Sequence, residues 1–172
     1  MTAPTYAPIP RRPRRLPGLV RELRVTYARP PVSGPDSPGA ILSPEDAACV
    51  FARFGLPLET VEVFAVVLLD TKNRPIAYHV VSRGNLNTCP VHPRAVFLAA
   101  IAANAHAILH AHNHPSGDPA ISGEDVRLHQ RLVDAGTLLG IPVLDGLVVA
   151  GRIWTSIAPG SSGTLPAEGP TP

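Results

Sequence analysis

Cysteine is scarce in this chain: Cys49 and Cys89 are the two thiols in 172 residues. They form no Cys-x-x-Cys pair, which excludes a cysteine-rich zinc knuckle and a disulfide framework and fits reduced thiols in a cytosolic protein. Any metal must then be held by histidine and carboxylate. Long apolar runs are also missing. No stretch approaches the roughly 18 apolar residues that a membrane span needs. The first apolar stretches are broken by Pro and Arg, so no secretory leader or membrane partner is expected and the cytoplasm is the default location. There is no His-x-Glu with Pro-Cys-x-x-Cys, as a zinc deaminase requires, and no His-Glu-x-x-His zincin helix. No internal repeat is visible.

Apolar residues make up 45% of the chain, enough for a core, and the length favours one domain. Charge is unevenly placed. Residues 1–29 carry seven arginines and one acid, Glu22, for +6, while the remainder carries 8 bases and 12 acids, for −4; the sum is the net +2. The main body is therefore mildly acidic despite a basic chain-wide balance. Ten of 21 prolines fall in residues 1–44 and four in 159–172, marking the domain edges. Residues 1–18 read as a disordered arm rich in Arg and Pro, residues 19–158 as the folded domain, and residues 159–172 as a disordered tail.

Within the domain, residues 19–27 alternate apolar and charged and suggest a first strand. Ser43-Pro44-Glu45-Asp46 is a helix start, followed by a helix to Phe54. Residues 62–69 are an apolar, β-branched run and predict a buried strand. A turn at 70–73 and residues 75–82 complete a hairpin. Helices are expected over 93–104 and 123–138, the second with Val126, Leu128, Leu132 and Val133 on its apolar side. Strands are expected over 106–112, 142–149 and 152–157. The sum is an α/β domain, a mixed β-sheet flanked by helices.

The chemistry concentrates in His110-Ala111-His112-Asn113-His114-Pro115-Ser116-Gly117, followed by Ser122 and Asp125. On a strand, histidines at i, i+2 and i+4 share a face. Imidazole is the commonest neutral metal ligand, and the break at Pro115 puts His114 where a site opens to solvent. Asp125, in the first turn of the next helix, supplies an anionic third ligand. Three protein ligands leave a fourth position open, as catalytic zinc sites do. Glu62, at the start of a buried strand, is costly there without a role and suits proton transfer. Ser122 suits donation to an oxyanion.

Glu62, His112-Asn113-His114, seven residues, Ser122, two residues and Asp125 together resemble the JAMM (MPN+) motif. The words His112-Asn113-His114-Pro115-Ser116-Gly117, residues 84–97 and residues 140–149 resemble the RadC family, and the likeness covers about residues 20–157. The resemblance implies a JAB/MPN fold laid out like cytidine deaminases. It also implies zinc on His112, His114 and Asp125, water activation by Glu62, and oxyanion stabilisation by Ser122. Relatives of the wider family cleave peptide or isopeptide bonds beside ubiquitin-like tails, and the RadC name carries an old association with DNA repair. Longer RadC proteins have an N-terminal helix-hairpin-helix region where this chain has its arginine arm. Two further departures stand inside the domain. Ala95 and Gly146 replace the Glu and His usual after His-Pro-Arg and after Asp145. His110 also stands where the family usually has an apolar residue.

Each reading has a plainer rival. Ser122-x-x-Asp125 is also an ordinary capping box, as Ser43-x-x-Asp46 is expected to be. Glu59 competes with Glu62. His110 reads as a buried histidine, and His79, His92, His106 and His129 carry no assigned role. The sequence supports a zinc-dependent hydrolase acting on a peptide or isopeptide. The alternative is a metal-stabilised binding module recruited to DNA or nucleoprotein. Weak, salt-sensitive nucleic-acid contact is expected through Arg11, Arg12, Arg14 and Arg15.

Overall fold

In the computed structural model, which describes residues 39–84, 91–158 and 160–166, the sheet is built around two strands buried at every residue. These are β1 (Val63–Leu69) and β3 (Ala107–Asn113). β2 (Pro75–Arg83), β4 (Val143–Ala150), β5 (Ile153–Ser156) and β6 (Ser162–Thr164) extend the sheet in the order β2-β1-β3-β4-β5-β6. Neighbours are antiparallel except β3 and β4, which run parallel. A parallel pair needs a crossover. Helix α3 (Gly123–Leu139) supplies it, so β3-α3-β4 is the unit that positions the site. Helices α1 (Pro44–Arg53) and α2 (Pro93–Ala102) complete the domain, with a short 3-10 turn at Leu56–Leu58 before β1.

Strand periodicity divides the core in two. Val63, Ala65, Val67, Leu69, Leu109 and Ala111 pack with Phe51 and Leu56 on one face. Phe64, Val66, Leu68 and Ile108 pack with Phe97 and Leu132 from α2 and α3 on the other. By parity along β3, His110 and His112 belong to the α2/α3 face, and Phe64 stacks on both rings. β1 reads as a continuous apolar run because both its faces are covered, whereas β3, equally buried, carries His110, His112 and Asn113.

Three sequence expectations are corrected. First, α3 buries Asp125, His129, Leu132 and Gly136, while Val126 is 51% exposed. The buried stripe runs i, i+4, i+7, i+11, and its first two members are polar because that end of the helix faces the site. Second, β3 runs on to Asn113, one residue past the strand end expected at His112. Third, the stretch assigned to a disordered tail contains β6, whose Trp154–Gly163 pairing with β5 and buried Leu165 tie it down. A Cβ at Gly163 would lie 2.5 Å from the Trp154 ring, so the strand packs there because position 163 has no side chain. The arm at 1–18, the strand expected at 19–27, and residues 85–90, 159 and 167–172 lie outside the described residues.

Candidate metal centre

All the residues singled out for chemistry except His110 meet at one end of the sheet. β3 ends there, antiparallel β1 begins there, and α3 starts there. Ligand sites in open α/β sheets form outside the carboxyl ends of strands for this reason.

His114 is the first residue past β3. Its N–H still donates to Val149 O at 2.8 Å, and the chain then turns, with Gly117 N donating to His114 O at 3.0 Å. Gly117 sits at φ +82°, a conformation that glycine adopts without strain. The turn brings Asp118 O within 2.7 Å of His114 Nδ1. A carbonyl only accepts, so Nδ1 carries the hydrogen and the Nε2 lone pair is left for a ligand.

His112 is 1% exposed, with Nε2 3.0 Å from His114 Nε2 and 3.1 Å from Asp125 Oδ1. His112 Nδ1 is buried with no hydrogen-bond partner among the described residues, so packing against Phe64 orients the ring. Asp125 is oriented by its cap. Ser122 Oγ accepts from Asp125 N at 3.1 Å and donates to Asp125 Oδ2 at 2.6 Å, and Ser122 N donates to the same oxygen at 2.7 Å. With Oδ2 occupied, Oδ1 is left facing His112. Burial pushes the Asp125 carboxyl up, but the His112 imidazole and the two Ser122 donors outweigh it and hold the group well below the usual carboxylate range. Asp125 is therefore an anion at neutral pH.

Glu62, just ahead of β1 and half-buried, brings a carboxylate oxygen in, so that Glu62, His112 and His114 each present a ligand atom within 4.8 Å of the others. Glu59 is committed elsewhere, in a 2.6 Å ion pair with Arg83.

Whether this set suits zinc is a question of donor type and spacing. Tetrahedral bonds of about 2.0–2.1 Å put neighbouring ligand atoms about 3.3 Å apart. The His112–His114 and His112–Asp125 separations of 3.0 and 3.1 Å lie within a few tenths of that. The three residues whose ligand atoms all lie within 4.8 Å of one another are Glu62, His112 and His114, and Asp125 adjoins that cluster through His112. Two imidazoles and an ionised carboxylate are a fitting donor set for zinc.

Sequence reasoning passed over two residues. His129 accompanies Asp125 one helical turn on, and its Nδ1 lies 2.9 Å from His110 Nε2. The i, i+4 spacing from Asp125 was the available signal. Asn113, read only as part of the motif, is 2% exposed and makes three hydrogen bonds to the segment around Glu62. Asp145 accepts from Gly146 N at 2.7 Å, Ala158 N at 3.1 Å and Ser156 Oγ at 2.6 Å, and so stitches β4 to the end of β5.

A mixed sheet with this crossover and a His-x-His pair at its open end is the layout of a JAB-type domain. The RadC-like JAB domain matches residues 41–162, and the chain belongs to that family. A UPF0758 protein of Alkaliphilus metalliredigens is 50% identical over 96 residues, 56% of this chain and 41% of that protein. A UPF0758 protein of Symbiobacterium thermophilum is 52% identical over 97 residues, 56% of this chain and 42% of that protein. One of Caldanaerobacter subterraneus is 48% identical over 110 residues, 64% of this chain and 47% of that protein. The chain thus spans about half the length of the curated relatives it matches, whose names state no activity. Among the described residues no helix is long and apolar enough to cross a membrane.

Proposed function

We propose that this chain is a zinc-dependent hydrolase of amide bonds, a metallopeptidase or isopeptidase. The observation that carries the reading is the cluster of Glu62, His112 and His114 at the open end of the sheet, with Asp125 Oδ1 3.1 Å from His112 Nε2. His112, His114 and Asp125 would hold the ion. Bound zinc supplies Lewis-acid polarisation and makes water nucleophilic near neutral pH.

The chain's own groups supply the proton transfers and part of the charge stabilisation. Glu62 accepts the proton of the attacking water and delivers it to the departing amine. Ser122 has one hydroxyl hydrogen, which lies on Asp125 Oδ2. That oxygen keeps the Ser122 N–H at 2.7 Å if the hydroxyl turns, so Ser122 can redirect its hydrogen to the oxyanion without stranding Asp125. The test is zinc content by mass spectrometry together with a peptide and isopeptide hydrolysis screen. About one zinc per chain with turnover that depends on Glu62 supports the reading; zinc-free protein after reconstitution overturns it.

A second reading keeps the zinc for stability and has the chain bind DNA or nucleoprotein. It is favoured by the seven arginines among residues 1–29. DNA affinity that falls steeply with salt and is lost on removing residues 1–18 would support it, and affinity unchanged by the truncation would remove the arm from binding.

A further inference from the structure

Asn113 stands between the two histidines of the metal centre, and its amide is aimed away from them. Oδ1 accepts from Val63 N at 2.7 Å. Nδ2 donates to Val61 O at 3.0 Å and to Glu59 O at 3.1 Å. The amide orientation follows from its partners, since one faces a donor and two face acceptors. Both amide hydrogens are used, and the side chain is 2% exposed.

The positions of those partners matter more than their number. Val61 O belongs to the peptide unit before Glu62, and Val63 N to the unit after it. Peptide units are planar, so φ and ψ of a residue are the only rotations between its two flanking units. A single side chain that grips both units holds φ and ψ of Glu62, and with them the direction of its Cα–Cβ bond. The second unit is gripped twice, because Glu62 O also accepts from Gly84 N at 2.8 Å. The β1–β3 ladder reaches only to Phe64 and His112, so the Asn113 amide replaces backbone pairing where it stops.

We propose that Asn113 is the positioning residue for Glu62. It couples the aim of the proton-transfer carboxylate to the same strand end that carries the metal-binding histidines. The catalytic part of this rests on the reading of Glu62 given above; the positioning itself does not.

The test uses the full chain and begins without zinc. Nuclear Overhauser contacts from the Glu62 side chain to the His112 and His114 rings are expected in wild type, given ligand atoms within 4.8 Å. In Asn113→Ala those contacts are lost, while the Phe64–His112 contacts persist and zinc affinity stays within about threefold. Asn113→Asp is the second variant. It keeps the volume and the acceptor for Val63 N but loses both donations, so the same loss is expected should the alanine variant not fold. Once a substrate is turned over, either variant should lower kcat about tenfold or more at unchanged KM, with no further loss in a Glu62→Gln background.

Unchanged Glu62 contacts in a folded variant would overturn the proposal. So would a zinc affinity reduced more than about tenfold, because Asn113 would then be supporting the ligands and not the carboxylate. A kinetic loss that adds in full to that of Glu62→Gln would also overturn it. Wild-type protein that binds no zinc would remove the hydrolase reading and leave the contacts to decide the role of Asn113.

Discussion

His110 on β3 and Gly146 on β4 are direct partners in the parallel pair, and the imidazole occupies the space a side chain at 146 would need. A Cβ there would overlap Cε1 and Nε2 of His110 and lie 2.9 Å from His129 Nδ1. The histidine at 110 and the glycine at 146 are therefore complementary in volume across adjacent strands. Gly146→Ala should destabilise the protein by about 1–3 kcal/mol, the usual cost of overpacking a filled core. His110→Ala in the same chain should recover part of that loss. Urea denaturation of the two single variants and the double variant tests this, and strict additivity would show that the residues do not share the space.

His114→Ala should bring zinc content from about one per chain to near zero, because three protein ligands are the minimum of a catalytic zinc site. The zinc-free variant should keep its fold, since His114 lies beyond β3 and outside both core clusters. Metal analysis beside circular dichroism checks both halves.

Glu62→Gln should retain zinc and lose turnover by about 10²–10⁴-fold, the range of positioned general bases. Retained turnover would remove Glu62 from proton transfer. Loss of the zinc instead would make Glu62 a ligand, which its closeness to His112 and His114 also permits.

Acid should weaken the zinc-free protein. Burial pushes His110 well down, with His129 and His112 adding to it, and burial also pushes His129 down, against the pull of Asp145. Both folded-state values lie below the ordinary 6.5. Above that pH the histidines are neutral in either state and their contribution is complete. Below it the unfolded chain takes up protons that the folded chain refuses, so stability falls as pH falls, by up to about 1.4 kcal/mol per unit for each histidine. Denaturation midpoints at about pH 7.5, 6 and 5 measure this, and a flat profile would show that neither ring is held neutral.

Ser43→Ala and Ser122→Ala remove the same local device. The first should cost about 0.5–2 kcal/mol of stability and nothing else. The second should cost a similar amount and also weaken zinc binding, because Asp125 Oδ2 loses a donor at 2.6 Å. Equal zinc affinity in Ser122→Ala and wild type would confine Ser122 to capping and to any role in turnover.

That pair of serines shows where sequence reading stops. Ser43-x-x-Asp46 and Ser122-x-x-Asp125 both fold into capping boxes, as their shared spacing implies. Local hydrogen bonding decides this much, and the strand at 63–69 is likewise set by a run of apolar and β-branched residues with turn formers beyond it. The His-x-His spacing already implies a ligand pair, since alternate residues of a strand share a face. What distinguishes the two aspartates is distance along the chain to what packs on them. Asp46 is exposed, whereas Asp125 is 6% exposed against His112. The same holds for Asn113, whose partners lie 50 to 54 residues away, for His129 against His110, and for Gly146 beneath that ring. Local propensity and periodicity act over a few residues, so the sequence by itself determined the motif and the elements from α1 to β5, whereas β6 is held by its pairing with β5. Which polar side chains those elements bring together depends on strand register and on the crossover through α3, and only the tertiary structure decided that.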